Sequence, residues 1–220
     1  MQVRAGIAGR GAVHVALLAG VVTGVLTGCS QAAPEAPEDK RASASASASA
    51  EGTVAAKGGT IGAEGSSCEL PVTFDIAEKW KAETVEGGPA GDIADTLLRQ
   101  GPVALTCEID AKPAGNIGYL RVWTGEPAKD DARAVLEAFV EAEPGASKET
   151  YRTFKTGVLD GVEVEYLYTS ELLDETKKER ALAVVTSDGP VVVHLGGLDT
   201  EEHEEMLPAY QLAKRTLRGN

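Results

Sequence analysis

The sequence predicts an α+β fold, a mostly antiparallel β-sheet covered by α-helices, preceded by a secretory leader and a low-complexity tether. Three observations carry that expectation. Apolar residues repeat with a period of two over several runs between Gly101 and Gly197. Tight-turn residues separate those runs, as in the Ser187-Asp188-Gly189-Pro190 stretch. Two segments of helical period interrupt them, one after Asp130 and one after Asp199. Strands joined as hairpins with helices inserted give a layered antiparallel sheet rather than a parallel one.

Taken in order, "LPVTFDI" from Leu70 is a short strand, and "ADTLLRQ", Ala94 to Gln100, reads as a short helix stopped by Gly101-Pro102. "VALTCEID" and "IGYLRVWTG" are strands split by the turn residues of "AKPAGN". From Asp130 to Glu143, the positions Ala132, Val135, Leu136, Phe139 and Val140 form one helical stripe, ended by Pro144-Gly145. Tyr151 to Thr156 is a further strand, and "VEVEYLYT" sets Val162, Val164, Tyr166 and Tyr168 on one face with Glu163 and Glu165 opposite. "ALAVVT" and "VVVHLG" flank the Asp-Gly turn. Asp199 is positioned to cap the last helix, with Glu202 completing a capping box. Lys214, Arg215 and Arg218 suit that helix's negative end, and Pro208 is expected to break or kink it near Leu207.

The first 28 residues read as a signal peptide. Arg4 and Arg10 form a positive region, Gly11 to Leu26 an apolar one, and Thr27 and Gly28 a small-residue cleavage position. The apolar run is short for a bilayer span and is interrupted by Gly20 and Gly24. Leu26-Thr27-Gly28-Cys29 resembles a bacterial lipobox, in which the cysteine sulfur receives a diacylglyceryl group and becomes the mature N-terminus. Acyl chains on Cys29 would hold the protein on the cell membrane, facing the extracytoplasmic side, without a spanning helix.

Residues 29–67 are rich in Ala, Ser, Gly, Pro and Glu and contain no aromatic residue, so they read as a disordered tether. Coil statistics give its roughly 38 residues an r.m.s. span of about 35 Å. The alternating Ser-Ala tract from Arg41 to Ala50 is a conceivable glycosylation stretch. Residues 68–220 form the single folded domain, large enough for a hydrophobic core. In an oxidising compartment, with Cys29 taken by lipid, Cys68 and Cys107 should form a disulfide worth about 4 kcal/mol on the chain-entropy scale.

The chain carries 21 basic and 34 acidic residues. Removal of the leader takes Arg4 and Arg10 and leaves a mature charge of −15. That charge argues against nucleic acid as a partner and against attraction to anionic headgroups, so the lipid is expected to anchor the protein unaided.

Chemical motifs are scarce. The sequence has no G-x-S-x-G, S-x-x-K or H-E-x-x-H and no phosphate-cradling glycine loop, which implies no cofactor. His194 and His203 are the only histidines of the mature chain. His194 lies in a strand run and reads as structural. "EEHEE" around His203 reads as a solvated first helical turn, the alternative being a divalent-cation site on His203 and Glu204. Trp80 and Trp123 suit either a ligand cleft or the core. Asp75, Glu108 and Asp110 are conceivable as paired carboxylates of a cell-wall hydrolase.

Lipobox, tether and a domain with "GYLRVWTGEPAKDDARAVLEAF" ahead of a meander and closing helix resemble actinobacterial lipoproteins of the LpqN type. That resemblance implies a Mog1/PsbP-like α/β/α sandwich. It implies no catalytic residues, and it implies a membrane-anchored protein that binds an envelope protein or small ligand, or serves an assembly. A solute or divalent-metal carrier is the first alternative, the hydrolase the second.

Overall fold

In the computed structural model, residues 52–85 and 98–220 are described. The leader, Cys29, the Ser-Ala tract and residues 94–97 of the expected short helix lie outside them. The main sheet begins with β3 (Lys81–Thr84), β4 (Arg99–Gln100), β5 (Val103–Asp110) and β6 (Gly118–Thr124). It continues with β7 (Ala146–Thr156), β8 (Leu159–Ser170), β9 (Glu175–Thr186) and β10 (Gly189–Gly197). Their order is β3-β5-β6-β10-β9-β8-β7, with β4 also paired to β5, and every pairing is antiparallel. A smaller sheet joins β1 (Lys57–Ile61), β2 (Val72–Ala77) and β11 (Arg218–Gly219) in the order β1-β2-β11. Two α-helices are described, α1 (Ala132–Glu141) and α2 (Thr200–Thr216). The α+β class is therefore as the sequence predicts.

Period-two patterning puts alternate residues of the long strands into two cores. One face carries Trp123, Val162, Val164, Tyr166, Ala181, Ala183 and Val192 against Val135, Leu136, Phe139 and Val140 of α1. The other carries Leu120, Val122, Leu182, Val184, Val193 and Leu195 against Phe74 of β2 and Met206 and Tyr210 of α2. Both sheet faces are covered, and this is why Glu163, placed by its period on a polar face, is itself buried. Its carboxylate receives Lys214 Nζ from α2 at 2.8 Å and lies 3.8 Å from Arg180. Trp80 and Trp123 belong to the cores, at 8% and 7% exposure.

Local chemistry sets the helix ends. Asp131 caps α1 by accepting from Ala134 N at 2.9 Å, and Asp199 caps α2 through Glu202 N at the same distance. Glu202 does not return the bond. Its carboxylate takes the Ile117 N–H of the β5–β6 loop at 2.6 Å, so the capping box is half formed and the helix instead holds a loop. α2 runs unbroken through Pro208, contrary to the expected break. Pro208 sits past the first turn with its carbonyl held by Ala55 N at 3.0 Å, and the helix is packed between β2 of the smaller sheet and β9 and β10 of the main one.

Two further expectations are corrected. Arg99 and Gln100 are not the end of a helix but pair with Ala104 and Val103, because Gly101 at φ +58° allows a tight reversal. The folded domain also begins before Cys68. Strand β1 lies inside the stretch read as tether, pairs with β2 and buries Ile61 at 3% exposure. Thr60 donates to Asp75 at 2.6 Å, and Lys57 pairs with Asp75 at 2.9 Å. Cys68 and Cys107 are bonded, Cα to Cα 6.0 Å, tying the approach to β2 to the centre of β5.

Candidate functional site

Helix α1 is too short for the sheet it covers. Ten residues of α-helix reach about 15 Å, whereas the 12-residue strands β8 and β9 reach about 40 Å. The helix starts near the β9–β10 turn and stops halfway along the face, where Glu143 follows it. Beyond that point the alternate residues of the strands turn polar: Tyr119 and Arg121 of β6, Tyr168 of β8, Lys177 and Glu179 of β9, His194 and Gly196 of β10. They floor an open pocket of about 340 Å³, rimmed by Ile117 and Leu198.

At its base lies a chain of buried polar groups. The Tyr166 hydroxyl donates to Glu143 Oε2 at 2.5 Å and stands 3.2 Å from His194 Nε2. The same Nε2 is in ion-pair contact with Glu179 Oε2, and Glu179 Oε1 receives Lys177 Nζ at 2.7 Å. Lys177 Nζ also donates to the Gly197 carbonyl at 2.7 Å. Tyr166, Glu179 and His194 are exposed by only 1%, 2% and 5%. Since the tyrosine spends its proton on Glu143, the proton facing it must sit on His194 Nε2, leaving Nδ1 as a buried nitrogen with no partner.

Electrostatics fit that assignment. Burial opposes ionisation of Glu179, but the facing imidazole and the Lys177 ammonium outweigh it and hold the carboxyl below its usual range. Burial, reinforced by Glu143 and Glu179, pushes the Tyr166 hydroxyl well above the ordinary tyrosine value, so it stays a neutral donor. At the pocket edge Arg121 pairs with Glu108 at 2.7 Å and lies 5.1 Å from the Tyr119 ring centroid. Lys177 lies 5.4 Å from that of Tyr168.

A Glu–His pair of this kind can orient a base toward a nucleophile. None of the residues lining this pocket is Ser, Thr or Cys. The pocket presents two phenol rings, Tyr119 and Tyr168, and two cations, Arg121 and Lys177. A larger cavity, about 560 Å³, lies at the opposite end of the same face between Pro102, Pro127 and Pro190. Its ionisable lining residues, Arg99, Glu126, Asp130 and Asp188, are all exposed, so it holds no preorganised buried polar group.

The other nominated residues are placed elsewhere. His203 does not face solvent: it is 1% exposed on the inner face of the first turn of α2, with neither ring nitrogen hydrogen-bonded among the described residues. Burial drives its pKa down to about 4. Glu204 points away to Lys178 Nζ at 2.6 Å, so the two do not form a shared cation site. Among the described residues no three His, Cys, Asp or Glu side chains converge on a metal position. Asp75 is held by Lys57 and Thr60 on the smaller sheet, Glu108 by Arg121, and Asp110 by the Lys112 N–H at 2.9 Å. Glu108 and Asp110 line one small cleft with Glu83 and Tyr119, while Asp75 lies apart from it on the smaller sheet.

The fold and site together define a two-faced α+β domain with an open polar pocket whose lining holds no Ser, Thr or Cys. The chain belongs to the family described as "Uncharacterised lipoprotein" (Lipoprotein_23), whose pattern matches residues 38–217. This is the lipoprotein class that the lipobox implies. No curated protein matches the sequence. Among solved structures the chain is similar to the cyanobacterial PsbP (CyanoP) of Synechocystis, at 11% identity and a TM-score of 0.48, over 68% of this chain and 87% of that one. At that distance no residue or role is transferable.

Proposed function

We propose that the protein is a lipid-anchored, extracytoplasmic binding module whose recognition site is the open half of the α1 face. The anchor in this reading is an acylated Cys29, and the bound component is an envelope protein or small ligand. The observation that carries it is the buried Tyr166–His194–Glu179 cluster, joined by half-buried Lys177 where it opens into a pocket. Keeping three polar side chains desolvated, Tyr166, Glu179 and His194, one with a nitrogen unpartnered among the described residues, is costly in a domain that has apolar residues to spend there. Such a cluster is typical of a site rather than of a core. LpqN-type actinobacterial kinship is compatible with the leader, tether and element order, and adds no residue to the site.

The test is capture from the native envelope. Arg121→Glu and Tyr119→Ala alter half-exposed pocket residues that belong to neither core cluster. Crosslinked mature protein should retain a discrete envelope component that both variants lose while keeping the wild-type melting point. Retention of the same component by both variants would refute the site.

A further inference from the structure

We propose that the pole of the domain where the tether enters docks on anionic phospholipid headgroups, so that the binding pocket faces away from the membrane. The inference rests on the Cys29 anchor read above. Its first support is where the chain enters the fold. The Gly52 carbonyl accepts from Arg215 Nη2 at 3.0 Å, and Ala55 is bonded to Pro208, so the chain arrives along the last turns of α2. Only 22 residues separate Cys29 from Gly52. The chain from Cys29 therefore joins the fold at this pole and not at the pole that carries the pocket.

The second support is charge. Around the end of α2 and the β7–β8 hairpin stand Arg152, Lys155, Lys214, Arg215 and Arg218. Of the acids at this pole, Asp160, Glu163 and Asp75 are paired with Lys155, Lys214 and Lys57, while Asp188, Glu126 and Asp130 stand exposed beyond the β9–β10 turn, so the cationic surface is the edge formed by α2 and the β7–β8 hairpin. The far pole carries Glu171, Asp174, Glu175, Glu201 and Glu205 around the β8–β9 hairpin and the start of α2. The overall −15 therefore conceals an uneven distribution. Screening limits headgroup fields to about 8–10 Å, so a membrane senses the near pole rather than the net charge.

The third support is Val158, 96% exposed at the tip of the β7–β8 turn and bordered by those cations. A short aliphatic residue beside Lys and Arg is suited to the interface between headgroup and acyl chain. Leu172 and Leu173 are also exposed, at 92% and 64%, but on the acidic far hairpin, where anionic lipid would repel them.

The two tips give a paired test on the full mature chain, with acylation confirmed by intact mass so that failure of the anchor is seen separately. Val158→Trp and Leu172→Trp are each placed in phosphatidylglycerol vesicles containing a headgroup-proximal nitroxide lipid. Trp80 and Trp123 are buried and give a common background. The tryptophan at 158 should be quenched about twofold and that at 172 unchanged. The quenching should fade in 1 M salt, in pure phosphatidylcholine, and with Lys155→Glu plus Arg215→Glu. Quenching at 172 instead, at both positions, or at neither would overturn the proposal, as would quenching indifferent to lipid charge.

Discussion

Acidification should destabilise this domain through one buried histidine. His203 lies 1% exposed on the inner face of α2, with both ring nitrogens unpartnered among the described residues, and its pKa falls from 6.5 to about 4 because burial disfavours the imidazolium. Above pH 6.5 the residue is neutral in both states and contributes nothing to a pH dependence. Below it, the unfolded chain takes a proton that the folded chain refuses, so stability is lost as the pH falls from about 6.5 to about 4. At pH 4.5 a shift of this size amounts to roughly 2.5 kcal/mol. With urea slopes of about 1–3 kcal/mol/M, the midpoint should move by on the order of 1 M. The assay is urea unfolding followed by tryptophan fluorescence at pH 7 and pH 4.5, on the wild type and on His203→Leu. The carboxylates held below their normal range, Asp75, Glu179 and Glu204, contribute an acid loss of their own. They do so in both proteins, so the difference isolates His203. The leucine variant should lose about 2.5 kcal/mol less on acidification. Equal losses would refute the burial argument, and a larger loss in the variant would show that the imidazole is charged in the fold.

Further outcomes follow from the same contacts. A chain truncated to begin at Gly52 should melt like the full mature protein, whereas one beginning after Ile61 should lose β1 and melt lower. For scale, burial like that of Ile61 is worth about 2–5 kcal/mol in Ile→Ala changes, and differential scanning calorimetry reads the shift. Reducing the Cys68–Cys107 bridge, which closes a separation of 39 residues, should cost about 4 kcal/mol, measured by denaturant unfolding with and without reductant. Cys29→Ala should abolish incorporation of labelled fatty acid and release the protein from the membrane fraction; labelled variant protein would contradict the lipobox.

Elements with strong local grammar were legible in the sequence. The β9–β10 hairpin follows from Asp188-Gly189, where Gly189 takes φ +120°, and α1 from its capped stripe ending before Gly145 at φ +96°. Strand β1 was not legible, because "KGGTI" has one buried apolar residue and is ordered by a partner distant in sequence. His203 was hidden by its acidic neighbours, although the spacing His203, Met206, Tyr210, Ala213 marks a buried helical face. Part of the pocket was accessible in principle. The two-residue turn pairs Leu195 with Arg180, and one step further brings Glu179 opposite Gly196, diagonal to His194. Glu143 carried no local sign, since it reaches Tyr166 only because α1 stops where it does.

The central claim is that the uncovered half of the α1 face is where this lipoprotein recognises its partner. Site-specific photo-crosslinking in living cells tests it most directly. A photoreactive residue in place of Tyr119, on the pocket floor, is compared with one in place of Ala128, on the larger cavity at the other end. The account predicts a discrete, reproducible adduct from position 119, suppressed by Arg121→Glu, and none of that mass from position 128. The same adduct from both positions, or from 128 alone, would contradict it.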